Sequence, residues 1–227
     1  MSQTGISDKS VLRRLADRLF QRYVDWRRGN RAAEKQCHRP APNSILLTFD
    51  DYISPSQADA ICSLLEPHQI RAMFFFQGDW AQHNQPLIDK LAAAGHIIGN
   101  HTYSHANLTE LADEAVTQEI IRGPKTQPWL RPPYGAYDKR VRNLAAKLGY
   151  VICYWTLDSH DWAPDIAADE ICQRVLSRIE PTSVILMHCH NDTTIAALPQ
   201  IIEAVRAKGW QFESTTSQAW QPGPPTS

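Results

Sequence analysis

Short apolar runs that alternate with amphipathic segments constrain this chain more than any other feature. The runs are 44–50, 72–76, 96–100, 129–131, 150–155, 183–187 and 210–212. They are rich in β-branched and bulky apolar residues and read as strands. Between them, apolar residues recur at helical spacing, as with Ala60, Ile61, Leu64 and Leu65. Helices are expected over about 56–68, 86–94, 109–121, 138–148, 169–179 and 194–208, with Gly95, Gly149 and Gly209 as stop signals. This alternation predicts βα units and a parallel sheet, an α/β fold. Seven near-continuously apolar strands favour a closed or nearly closed (β/α) barrel over an open sheet. In either case the functional edge is where the strands end.

That edge collects the polar residues. The first strand runs through Ile45, Leu46, Leu47, Thr48 and Phe49 straight into Asp50 and Asp51. Neighbouring strand residues point to opposite faces, so the two carboxylates are expected to do different work, one holding a metal and the other handling protons. His101 follows the third strand, with His105 four residues on. On one helical turn two such imidazoles face the same way and can clamp one ion. A carboxylate from the first strand makes the set one oxygen and two nitrogens, with an open position left over, as in catalytic zinc-type sites. Arg131, Asp158, Asp161 and His188 also stand at strand ends.

Bulk properties exclude other classes. Hydrophobic residues make up 43% of the 227, and the formal net charge is −1, so a sizeable core is affordable and no polyanion such as nucleic acid is implied as a partner. No apolar run approaches the roughly 18–20 residues that span a bilayer, and the N-terminus has no apolar signal-peptide core. Cys37, Cys62, Cys153, Cys172 and Cys189 are odd in number and widely spaced. They read as reduced thiols of a cytoplasmic protein.

Residues 1–40 differ from the remainder. Leu12, Leu15, Leu19, Tyr23 and Trp26 form one helical stripe, and arginines crowd the other faces. The segment reads as a helix packed outside the main domain or as a basic amphipathic helix touching an anionic membrane surface through residues 10–31. A linker around Pro40 and Pro42 follows, then a catalytic domain over 41–220 and a loose, Pro-rich tail at 221–227.

In order, Thr48-Phe49-Asp50-Asp51, His101-Thr102-Tyr103-Ser104-His105, Arg131-Pro132-Pro133-Tyr134, Asp158-Ser159-His160-Asp161-Trp162 and Leu186-Met187-His188 resemble the five signature motifs of the polysaccharide deacetylase family, the NodB-like carbohydrate esterases. The resemblance spans about 44–215. It implies a distorted, seven-stranded (β/α) barrel and a metal-dependent deacetylase holding one divalent ion, Zn2+ or an alternative such as Co2+. By the same resemblance, Asp51, His101 and His105 match the metal ligands, and Asp50 the general base that activates the attacking water. Arg131 matches the residue that holds that base, and the backbone N–H of Tyr134 an oxyanion donor. Asp161 matches the carboxylate that orients the acid histidine, Trp162 a pocket wall, Leu186 the floor for the acetyl methyl, and His188 the general acid.

One departure stands out. The family continues its carboxylate pair with Gly and then Pro or Ser, whereas Tyr52, Ile53 and Ser54 follow here. A bulky Tyr52 at the lip of the site argues against a long polysaccharide, the missing signal-peptide core points the same way, and an intracellular oligosaccharide or a small amide is the expectation. Three readings compete: deacetylation of an N-acetylated carbohydrate, hydrolysis of a non-sugar small amide or cyclic imide by the same machinery, and an idle carbohydrate-binding relative. His190 is expected to be solvent-exposed and His160 to be an ordinary loop residue.

Overall fold

In the computed structural model, residues 40–214 other than 126 are described. The expected helix at 10–31 and the tail at 221–227 lie outside the described residues.

The strand β1 (Ser44–Asp51) is central. It pairs in parallel with β2 (Ala72–Phe76) on one side and β7 (Val184–His188) on the other. Beyond β2 come β3 (Ile97–Asn100), β4 (Trp129–Leu130) and β5 (Val151–Ile152); beyond β7 comes β6 (Leu157–Asp158). All these pairings are parallel. Seven parallel strands thus form one curled half-barrel, and β8 (Gln211–Phe212) adds to the start of β1.

Alternation along β1 builds two cores. Ile45, Leu47 and Phe49 pack in the larger one with Phe74, Phe76, Ile185 and Met187. The helices α1 (Pro55–Leu65) and α7 (Asp192–Ala207) close it with Ile61 and Leu198. Leu46 faces the other way and fills the barrel interior with Met73, Phe75, Trp129, Trp155 and Leu186. Each fully buried side chain of this size contributes about 1.5–3 kcal/mol. Helix starts follow local chemistry. Ser54 and Gln57 cap α1 reciprocally, and Asp138 accepts the Val141 N–H at the start of α5 (Lys139–Lys147). Between these come α2 (Gly78–Ala81), α3 (Gln85–Ala93) and α4 (Asp113–Ile121), and α6 (Ala168–Leu176) precedes α7.

Two expectations need correction. The strand expected at 150–155 is shorter, forming only β5 at 151–152, and a separate strand that was not expected, β6, follows at the opposite edge of the sheet. Between them the Cys153 N–H still donates to Leu130 O (2.7 Å), while the Thr156 N–H donates to Val184 O (2.9 Å). The chain crosses from one edge to the other between Ile152 and Leu157, a reach of at most about 18 Å, so the curled edges face each other. Apolar character registers burial but not pairing partner, so the apolar run outlasts the strand. The expectation of uniformly reduced thiols also fails, because Cys153 is disulfide-bonded; Cys62, Cys172 and Cys189 are free. Spacing alone is silent about a pairing that the fold creates.

Candidate active site

Asp50 ends the inward-facing row of β1 and is buried (3% exposed). Asp51, the next residue, takes a left-handed backbone (φ 83°). That turn breaks the strand alternation and swings Asp51 back towards its neighbour's side. Both carboxylates consequently lie beside one imidazole: His101 Nε2 is 3.8 Å from Asp50 Oδ2 and 3.5 Å from Asp51 Oδ1. The expected division onto opposite faces does not hold as geometry, although the two environments differ.

His101 and His105 also converge without the expected helical turn. The segment after β3 is a loop in which Thr102 and His105 are left-handed (φ 65° and 63°). Asn100 Oδ1 accepts the Thr102 N–H (2.7 Å), and its amide donates to Ile120 O at the end of α4. Glu119 on α4 accepts the N–H groups of Tyr103 and Ser104. Neither Asn100 nor Glu119 was singled out by sequence reasoning, since each acts on backbone rather than on chemistry. His101 Nδ1 lies 2.7 Å from the Arg131 carbonyl. A carbonyl only accepts, so Nδ1 carries the proton and Nε2 keeps a lone pair facing the carboxylates.

Arg131 is fully buried beneath this cluster. One guanidinium nitrogen donates to both Asp50 Oδ1 (2.8 Å) and Thr48 Oγ1 (2.7 Å), and Nε donates to Cys153 O (3.2 Å). Its plane lies over the Phe75 ring, 4.2 Å from the centroid. Burial pulls the guanidinium below its ordinary value, and Asp50 opposes that. With partners on several sides, removing one would leave the other charge buried and unmatched.

His188 ends β7 and is held by Asp161. Its Nδ1 lies 2.7 Å from Asp161 Oδ1, and its backbone N–H donates to Asp161 Oδ2 (2.7 Å). Thr194 Oγ1 completes the carboxylate's contacts. Burial works against charge on His188, but Asp161 more than offsets it, and the imidazole is pushed up to about 9. Burial likewise opposes ionisation of Asp161, yet His188 and Thr194 hold it below the usual carboxylate range. The other nitrogen, Nε2, is 3.9 Å from Asp51 Oδ2. Burial pulls His105 down, His101 adding to it, so the imidazole favours its neutral, ligating form.

The remaining expected residues ring this centre. Tyr134 follows Arg131 in a left-handed turn (φ 58°), with its ring edge-on to His105 at 4.6 Å. Trp162 donates its indole N–H to Asp158 (3.3 Å) and stays partly exposed. Leu186 lines the buried interior in register with Thr48. Three further residues escaped sequence reasoning. Gln77 donates to Asp51 Oδ1 (3.0 Å). His160 lies in a loop as expected, but it is buried, left-handed (φ 64°) and packed edge-on to Trp162. His190, expected in solvent, stacks on Tyr52 at 4.6 Å and lies 3.7 Å from Asp51 Oδ2. A His two residues beyond the last motif is the only signal the sequence offered for it.

The donor set fits a divalent ion. One ligand atom from each of Asp51, His101 and His105 lies within 4.8 Å of the others. Asp51 Oδ1 is 3.5 Å from His101 Nε2 and 3.3 Å from His105 Nε2. Ligands about 2.1 Å from a tetrahedral ion would be about 3.4 Å apart. Burial opposes ionisation of Asp51, but His101, His188 and His105 hold its carboxyl far below the usual range, so it is an anion ready to bind a cation.

Titratable groups thus stand on two sides of a single candidate ligand cluster, at the strand ends of a curled parallel barrel, an arrangement suited to hydrolysis. Residues 38–153 match the polysaccharide deacetylase family model. A peptidoglycan-N-acetylglucosamine deacetylase of Bacillus cereus is 32% identical, aligned over 76% of this chain and 67% of the relative. A chitooligosaccharide deacetylase of Azorhizobium caulinodans is also 32% identical, over 75% of this chain and 92% of the relative. The solved family 4 carbohydrate esterase of Streptomyces lividans, in complex with acetate, superposes with a TM-score of 0.68 at 34% identity, covering 77% of this chain and 93% of that one. This chain belongs to the polysaccharide deacetylase family.

Proposed function

We propose that the protein is a metal-dependent deacetylase that hydrolyses the amide C–N bond of an N-acetylated carbohydrate. The observation that carries this reading is the juxtaposition of the Asp51–His101–His105 set with Asp50 on one side and the Asp161-supported His188 on the other. Amide hydrolysis needs a nucleophile, stabilisation of developing negative charge and a proton for the departing amine. A divalent ion, most simply Zn2+, supplies Lewis acidity when Asp51, His101 and His105 hold it.

The chain's own residues do the rest. Asp50, fixed by Arg131, takes a proton from the attacking water. The Tyr134 backbone N–H faces the developing oxyanion, Leu186 and Trp162 receive the acetyl methyl, and His188 gives its proton to the leaving amine. Asp161 keeps His188 charged and oriented for that step. The N-acetylated sugar as substrate is favoured by the activities named for the Bacillus and Azorhizobium relatives. A non-sugar small amide is the second reading, favoured by Tyr52 at the lip of the site.

No helix among the described residues is long and apolar enough to cross a membrane. Acetate release from N-acetylglucosamine oligomers, beside a panel of small amides and a cyclic imide, tests the proposal. Release from oligomers is expected; turnover confined to the non-sugar amides would transfer the machinery to the second reading.

A further inference from the structure

Among the described residues, three large hydrophobic side chains are exposed: Tyr52 (45%), Tyr134 (71%) and Trp162 (42%). All three belong to one place. Tyr134 touches His105, Trp162 follows Asp161, and Tyr52 follows Asp51. The roles given above to the Tyr134 and Trp162 segments leave Tyr52 unexplained.

Tyr52 is not a loose surface ring. Its face packs on His190, with centroids 4.6 Å apart and planes 20° apart. The backbone beneath the pair is pinned from several directions. Cys189 donates its thiol to Tyr52 O (3.1 Å), and Gln57 donates to His190 O (2.9 Å) and to Asp192 Oδ1 (2.7 Å). The same Gln57 accepts the Ser54 N–H (3.0 Å), which ties the Tyr52 loop to the His190 loop through one side chain. His190 Nδ1 is buried and has no hydrogen-bond partner. It lies 3.7 Å from Asp51 Oδ2, on the side of that carboxylate where His188 Nε2 also lies (3.9 Å).

An aromatic ring held rigidly with one face covered and the remainder in solvent is a ready surface for the C–H face of a sugar ring. We propose that Tyr52 and His190 form a third wall of the site that binds the sugar on the leaving-amine side. Tyr52 stacks on its pyranose ring through the face that His190 leaves open, and His190 holds the tyrosine ring in place from behind. The inference rests on the carbohydrate reading and adds to it the residues that select the sugar.

The test is steady-state acetate release by the zinc-loaded full chain from a tetramer of N-acetylglucosamine. Tyr52→Ala is expected to raise KM about three- to tenfold, the stacking contribution of one ring. Its kcat should stay within about twofold and its zinc content at the wild-type level. Tyr52→Phe keeps the ring and should restore the wild-type KM. His190→Ala removes the ring behind Tyr52 and should raise KM in the same direction as Tyr52→Ala. If Tyr52→Ala does not fold, Tyr52→Leu, which keeps volume without the ring, answers the same question. An unchanged KM in the ring-less variants would overturn the inference while leaving the deacetylase reading intact. Loss of zinc together with kcat would overturn it too, making Tyr52 a support for Asp51. No acetate from the tetramer with the wild-type protein would remove the carbohydrate reading and this wall with it.

Discussion

Asp50 and Asp51 share a strand end and a neighbouring imidazole, and differ in what else they touch. Asp50 is bound to Arg131. Asp51 faces His101 and His105 through one oxygen and His188 and His190 through the other. On the proposed roles, Asp50→Asn keeps the shape and removes the base. Metal content should persist while turnover falls roughly 10²–10⁴-fold, the range for a lost general base. Asp51→Asn weakens an anionic ligand, so metal content and turnover should fall together and excess metal should partly rescue it. Equal metal loss in the two variants, measured by elemental analysis, would make Asp50 a ligand instead. The His188–Asp161 pair gives a pH prediction with a definite sign. Asp161 raises His188, so the acid form is present at neutral pH and is lost as pH rises through its raised value. Asp161→Asn removes that support. The alkaline limb of kcat/KM should move to lower pH; a limb that stays in place would detach His188 from the rate.

The loop between β3 and α4 shows how an element converts backbone bonding into ligand geometry. Asn100 is fully buried, and its side chain serves the Thr102 N–H and the Ile120 carbonyl. Asn100→Ala leaves both unpaired, at roughly 1–3 kcal/mol each. Its Tm should drop by roughly 5–15 °C, and zinc affinity should weaken because His101 and His105 lose their fixed spacing. A thermal melt and a zinc titration check this; wild-type affinity would show that the imidazoles are placed by something else. Elements of this kind also mark what the sequence displays. Apolar runs ending in Asp50, His101, Arg131 and His188 were legible because burial and strand-end chemistry are both written locally. The approach of Asp51 to its neighbour's side was not, because a positive φ at a non-glycine residue leaves no compositional trace. Nor was the end of β5 at Ile152, after which the chain leaves for the opposite edge without a change in apolar character. His190 was missed for a third reason: its stacking partner, Tyr52, is distant in sequence.

At the scale of the molecule, the curl of the sheet brings these parts together. β1 lies between β2 and β7, so strand ends widely separated in sequence meet over one interior. Arg131 spans that interior from β4 to β1, and the crossing at Cys153–Thr156 closes in behind it. On the proposed function, this meeting point hydrolyses amides only with a divalent ion in the Asp51–His101–His105 set. The most direct measurement is acetate release from N-acetylglucosamine oligomers by chelator-treated protein, before and after one equivalent of Zn2+, with His105→Ala in parallel. Negligible release is expected without the ion, recovery on its return, and neither metal uptake nor recovery in the variant. Full activity in the metal-free protein, or undiminished activity in His105→Ala, would contradict the proposed function.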